Sequence, residues 1–106
     1  MDMIGISEGS FEWALMHLKN GAKIQRKGWN GKGMFLYLTK GSNIPFDNLK
    51  EETKGYLKDS AVCQPQYNGD VHINSHIDMK TADGSITIGW APSQVDMLAE
   101  DWEVVE

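Results

Sequence analysis

A chain of 106 residues, 41% of them hydrophobic, has the size and apolar content of one ordinary globular domain over 1–106. Its formal net charge of −5 excludes a binder of long DNA or RNA, which needs a phosphate-neutralising surface. No apolar run reaches about eighteen residues, which excludes a membrane-spanning helix.

The start, Met1-Asp2-Met3-Ile4-Gly5, lacks the basic and apolar regions of a secretory leader, so none is expected. Ser10 to Gly21 reads as the one clear helix. Ser10 caps it, Glu12 sits in the first turn, Lys19 near the last, and Gly21 stops it. Phe11, Ala14, Leu15 and Leu18 form one apolar stripe at helical spacing. Trp13 and His17 lie off that stripe, so Trp13 is either partly covered by a loop or buried by another subunit. Ala22 to Lys27 alternates as a strand, and Met34 to Thr39 is a second, richer in aromatic and aliphatic residues. Between them Asn30-Gly31 is a strong turn signal, which makes a hairpin whose tip carries Trp29, Asn30 and Lys32.

Ile44 to Gly69 is the least regular stretch. Pro45 and Asp47 open a short helix bearing Leu49, Tyr56 and Leu57, in an excursion from the sheet. Val71 to Thr81 then alternates cleanly, with Val71, Ile73, Ile77 and Met79 on one side and His72, Asn74, His76, Asp78 and Lys80 on the other. A turn at Ala82-Asp83-Gly84-Ser85 leads to a partner strand bearing Ile86, Ile88 and Trp90. Pro92-Ser93 enters a short helical turn through Ala99, and Trp102 to Val105 closes as a last strand. The fold class is α+β, one N-terminal helix packed on an antiparallel sheet.

Charge is distributed unevenly. Six basic residues and no acidic one lie between Trp13 and Phe46, whereas six acidic residues and no basic one follow Lys80. Either basic and acidic strands pair within one fold, or a local positive pocket serves a small phosphate-bearing ligand. Stacking faces are available at Trp29, Phe35 and Tyr37, and phosphate donors at Arg26, Lys27 and Lys32. Phe35 and Tyr37 read equally well as ordinary strand residues.

Catalytic and metal patterns are not found. His72 and His76 would stand about 13 Å apart on a strand rising ~3.3 Å per residue, too far for one ion, so His72, His76 and Asp78 read as exposed polar residues. Cys63, the only cysteine, has no partner for an internal disulfide and fits a reducing cytoplasm. Gly28-x-x-Gly31-x-Gly33 lacks the spacing and the following helix of a phosphate loop. No catalytic residue, metal or cofactor is expected.

Two segments carry a family likeness: Arg26-Lys27-Gly28-Trp29-Asn30-Gly31-Lys32-Gly33-Met34-Phe35-Leu36-Tyr37-Leu38, and His76 to Ile86 continuing from Trp90 to Val105. Together with the helix from Ser10 they resemble the second Thoeris anti-defense family, small bacteriophage proteins that act as sponges. The resemblance implies a non-enzymatic protein that sequesters glyco-cyclic ADP-ribose, the cyclic ADP-ribose-type signal of a TIR-domain enzyme. It also implies uptake of cyclic dinucleotides at separate sites in some members, a homotetramer with ligand clefts between subunits, and action in the cytoplasm of the infected host. On these motifs the ligand-binding positions are Arg26, Trp29, Asn30, Lys32, Phe35, Tyr37, Thr81, Asp83, Ser93, Gln94 and Asp96. The chain departs from the family at Trp13, where a capping box would place Glu, and in the length of the excursion from Ile44 to Gly69. Two alternatives belong to other classes. One is a phage structural or protein-interaction module, with Trp13 and Trp29 at its interface; the other is a nucleotide-degrading enzyme, which would need an acid–base or metal cluster.

Overall fold

The computed structural model describes residues 5–29 and 32–106, and the helix expected from Ser10 is there as α1, Phe11–Lys19. Ser10 is extended, and its Oγ accepts the Trp13 N–H at 3.2 Å, satisfying a donor that the first turn would otherwise leave open. At the other end Gly21 takes φ +91°, a left-handed conformation that ends a helix cheaply only at glycine.

Two compact units divide the chain. The first, Met1–Thr39 with His76–Glu106, holds α1 and a five-stranded antiparallel sheet. Its strands are β1 (Lys23–Arg26), β2 (Phe35–Thr39), β5 (His76–Lys80), β6 (Ile86–Ile88) and β7 (Trp102–Val105), in the order β6-β5-β2-β1-β7. Register places Ile24 opposite both Leu36 and Val104, and Leu36 opposite Met79. These residues share the face against which α1 packs. Ala14, Leu18, Ile24, Leu36 and Trp102 form the buried core there, the main source of stability in a unit this size. The α+β reading, with one N-terminal helix on an antiparallel sheet, holds.

Trp102 stands at the centre of an aromatic group. Its ring centroid lies 5.7 Å from Phe11, 5.6 Å from Trp29 and 6.2 Å from Trp90, and its indole N–H donates to the Asp96 carbonyl at 3.0 Å. Gly9, at φ +91°, brings the chain so close to Glu100 that a Cβ would sit 2.7 Å from its carbonyl oxygen. Glycine is required there on both counts. Trp13 is neither bare nor fully covered. It is half-buried at the edge of the core and meets His17 edge-on at 4.6 Å, so one-turn spacing on the helix provides part of its cover.

The second unit, Lys40–Ser75, holds a two-stranded sheet of β3 (Ser42–Ile44) and β4 (Val71–Ile73), with α2 (Glu51–Leu57) between them in sequence. The single strand expected over Val71 to Thr81 is therefore two strands in two sheets, β4 and β5, broken at Asn74-Ser75. Ser75 Oγ accepts the Gly41 N–H at 2.9 Å, and a Cβ on Gly41 would lie 2.6 Å from the Ile73 carbonyl oxygen. Period-2 alternation is blind to a change of sheet, because both strands can keep the same parity. The helix expected from Pro45 forms later: Phe46–Asn48 makes a single 3-10 turn, Leu49 is extended, and α2 starts at Glu51. The β6 strand also ends early, at Ile88: Gly89 takes φ +85° and forms a one-residue bulge, so that Trp90 N–H, in place of Gly89 N–H, donates to the Ile77 carbonyl at 2.6 Å.

Candidate functional site

At the β1 end of the hairpin an open depression of about 280 Å³ is lined by Gln25, Arg26, Lys27, Trp29, Lys32 and Gly33. Backbone bonds set its walls. Lys27 N–H donates to the Asp101 carbonyl at 3.0 Å and Trp29 N–H to the Arg26 carbonyl at 3.2 Å. Trp29 packs one edge against Trp102 at an interplanar angle of 78° and is half-buried. Gly33, at φ +82°, turns its carbonyl to accept the Lys80 ammonium at 3.0 Å. Asn30 lies outside the described residues.

Arg26 is committed to two carboxylates. Its Nε donates to Asp101 Oδ1 at 2.9 Å and its Nη1 to Asp96 Oδ1 at 3.0 Å. Both partners raise the guanidinium pKa, Asp101 most, so its charge is permanent. Burial pushes Asp96 up, but the N–H and hydroxyl of Ser93 together with Arg26 outweigh it and hold the carboxyl below its ordinary value. Asp101 is held low chiefly by its bond to Arg26. The acidic C-terminal segment thus neutralises Arg26, and Gln25 Nε2 likewise donates to Glu103 Oε1 at 2.8 Å. The exposed lysines Lys27 and Lys32 are the cations of this depression outside that clamp.

The other expected positions are dispersed. Ser93 and Asp96 close a reciprocal capping box on α3, Gln94–Leu98, and Gln94 is its exposed first residue. Phe35 and Tyr37 lie on the sheet face opposite α1, rings 6.1 Å apart, with the Lys23 and Lys80 ammoniums 5.1 and 5.8 Å from the Phe35 centroid. Thr81 and Asp83 bond each other and Ser85 at the β5–β6 turn. The Thr81 hydroxyl, then the N–H and hydroxyl of Ser85, pull the Asp83 carboxyl down to about 2. Arg26, Trp29 and Lys32 therefore share one depression, with Asp96 bonded to Arg26. Thr81 and Asp83 bond none of these.

Asp78 and His76 correct the expectation of exposed polar residues. Asp78 is 3% exposed; Thr39 Oγ1 donates to it at 2.6 Å, His76 Nδ1–H at 2.7 Å and Gly89 N–H at 3.0 Å. Burial raises its pKa, but these three donors prevail and keep it low. No local pattern marks a buried aspartate on a strand. Two of its donors, Thr39 and Gly89, come from other segments that only the fold brings to it, and His76 is its neighbour on the same face of β5. Among the described residues no three His, Cys, Asp or Glu side chains converge as metal ligands.

Removing Arg26 leaves two partly buried carboxylates without their cation. Arg26→Ala is expected to lower stability by about 1–2 kcal/mol, a value reduced for solvent screening at Asp101, which is 35% exposed. Both carboxyls have lowered folded-state values, so their stabilisation is complete above the ordinary aspartate value near ~4 and fades as pH falls through the folded values. Urea midpoints at pH 7 and pH 3 should therefore differ less in the variant than in the wild type. Equal pH dependence would remove the clamp from the account.

A model of the Thoeris anti-defense 2-like domain matches residues 9–105. A curated protein of Bacillus phage SP01, named Thoeris anti-defense 2, is 38% identical over 96 residues, which covers 91% of this chain and 93% of its own length.

Proposed function

The chain belongs to the Thoeris anti-defense 2-like family, and on that premise we propose that it blocks Thoeris defence by sequestering glyco-cyclic ADP-ribose rather than by destroying it. The observation that carries this reading is the depression where the Trp29 ring stands beside Lys27 and Lys32. A ring for stacking and ammoniums for a pyrophosphate are what such a ligand needs from a protein. Sequestration asks only for affinity and stoichiometry, so a site built from stacking and charge suffices.

One subunit's depression, about 280 Å³ and open, falls at the lower limit for enclosing a drug-sized ligand. A second subunit would supply the missing wall, which supports a homotetramer with clefts between subunits. The protein acts in the cytoplasm of the infected host, and no helix among the described residues is long and apolar enough to cross a membrane.

The test is to mix the purified protein with excess glyco-cyclic ADP-ribose, remove free ligand, denature by heat and analyse what is released. Cyclic dinucleotides, the second ligand class implied by the resemblance, are run in parallel. Intact ligand at a fixed ratio to subunits is expected. Altered ligand accumulating beyond one equivalent would make the protein an enzyme, and nothing released would favour an interaction module. Lys32→Ala should weaken binding by about tenfold and rising salt should weaken the wild type, whereas Glu106→Ala should leave the isotherm unchanged.

A further inference from the structure

The edge of the five-stranded sheet carries a self-complementary strand. β6 is Ile86-Thr87-Ile88, and among the described residues it pairs on one side only, with β5, through Asp78–Ile88, Met79–Thr87 and Lys80–Ile86. The Thr81 N–H donates to the Ser85 carbonyl at 2.9 Å, so 81 and 85 are a hydrogen-bonded pair. Antiparallel pairs alternate between bonded and non-bonded. Met79–Thr87 is therefore the next bonded pair, and the N–H and C=O groups of Ile86 and Ile88 point away from β5 along the open edge.

Edge strands are ordinarily blunted by lysine, proline, a bulge or a covering segment. Within β6 there is no lysine or proline, the bulge at Gly89 falls only after its last residue, and all three residues are exposed, with Ile86 at 50% and Ile88 at 73%. Ladder register sets both isoleucines on the face away from α1, the same face as Lys80 and Asp78.

We propose that β6 pairs antiparallel with β6 of a second copy about a two-fold axis through Thr87, joining two five-stranded sheets into one. The proposal rests on the self-association in the functional reading above and names the surface that makes it. With the axis at Thr87, Ile86 stands opposite the partner's Ile88. These are the residues whose backbone groups face outward, so each N–H meets a C=O. The exposed isoleucines become cross-strand pairs on one face, a favourable pairing for β-branched side chains. Thr87 meets the partner's Thr87 as a non-bonded pair, with Cα atoms about 4.5 Å apart. The arrangement is isologous and closed, using the same three residues from each copy.

Three forms of the full chain test it by light scattering and non-reducing gel electrophoresis. Wild type should show a mass of at least twice the monomer's 11.9 kDa. Ile88→Lys puts an ammonium opposite the partner's Ile86 and leaves the β5 ladder bonds in place, so the mass should fall twofold with an unchanged circular dichroism spectrum. Thr87→Cys combined with Cys63→Ser should cross-link most chains into dimers under mild oxidant, because the Cα spacing suits a disulfide. A monomeric wild type at 100 µM (a concentration on the order of that used for scattering), a folded Ile88→Lys of unchanged mass, or a Thr87→Cys protein that stays uncross-linked would overturn the proposal. If the wild type is a multimer and only the variants fail, the edge is wrong while self-association stands. Ligand release from the same wild-type sample decides sequestration independently.

Discussion

Trp102→Ala is expected to cost about 3–5 kcal/mol, the range for emptying a large aromatic from a packed core. Against a typical total of about 5–15 kcal/mol for a domain, that leaves a marginal or unfolded protein at 37 °C. Trp102 is 2% exposed and belongs to the core cluster with Ala14, Leu18, Ile24 and Leu36. Its ring is also the common neighbour of Phe11, Trp29 and Trp90. Removing it therefore opens a cavity under the helix and withdraws support from the aromatic that lines the candidate site. The indole also ties α3 to β7 through its bond to the Asp96 carbonyl. Trp102→Phe keeps most of the volume and loses that bond, so it should fall between the two. Urea unfolding measures all three, and a loss below about 1 kcal/mol for the alanine variant would show that the core does not depend on this ring.

Local signals account for most of the architecture. The helix from Ser10 could be read because cap, stripe and stop glycine are written within twelve residues of chain. The β1 strand could be read from its alternation, β2 from its aromatic and aliphatic content, and β7 as a short closing run. What escaped was set by contacts between distant segments. The break at Asn74-Ser75 keeps the alternation on both sides, so nothing in the pattern announces it. Asp78 looked like one more polar strand residue, and its burial depends on Thr39, His76 and Gly89. The candidate site was legible as an inventory of rings and cations near the first hairpin. The division of labour within it was not. The pairing of basic with acidic segments is met at Arg26, which Asp96 and Asp101 answer, whereas Lys27 and Lys32 stay exposed beside Trp29. Only the pairing of β1 with β7 brings Asp101 alongside Arg26, which register sets opposite Trp102.

Trp29→Ala is the substitution expected to act most strongly on ligand capture. Loss of one stacked ring should cost about 1–3 kcal/mol, or roughly 5- to 150-fold in affinity. Trp29 also meets Trp102 edge-to-face at 5.6 Å, a geometry worth about 0.5–1.5 kcal/mol to the fold. The variant should therefore bind poorly and melt a few degrees lower, and the two losses must be separated. Trp29→Phe does so, because a smaller ring retains a stacking face. Its melting temperature should lie near that of the alanine variant if the indole edge supports Trp102, while its affinity should recover most of the way to wild type. Titration calorimetry with glyco-cyclic ADP-ribose, on samples whose circular dichroism matches wild type, reads the binding loss directly. Lys27→Ala gives a further contrast: it removes a cation lining the same depression without touching the aromatic group, so it should weaken binding at low salt and leave the melting temperature alone. A folded Trp29→Ala protein that captures the ligand as well as wild type would move the site away from this depression, whatever happens to its stability.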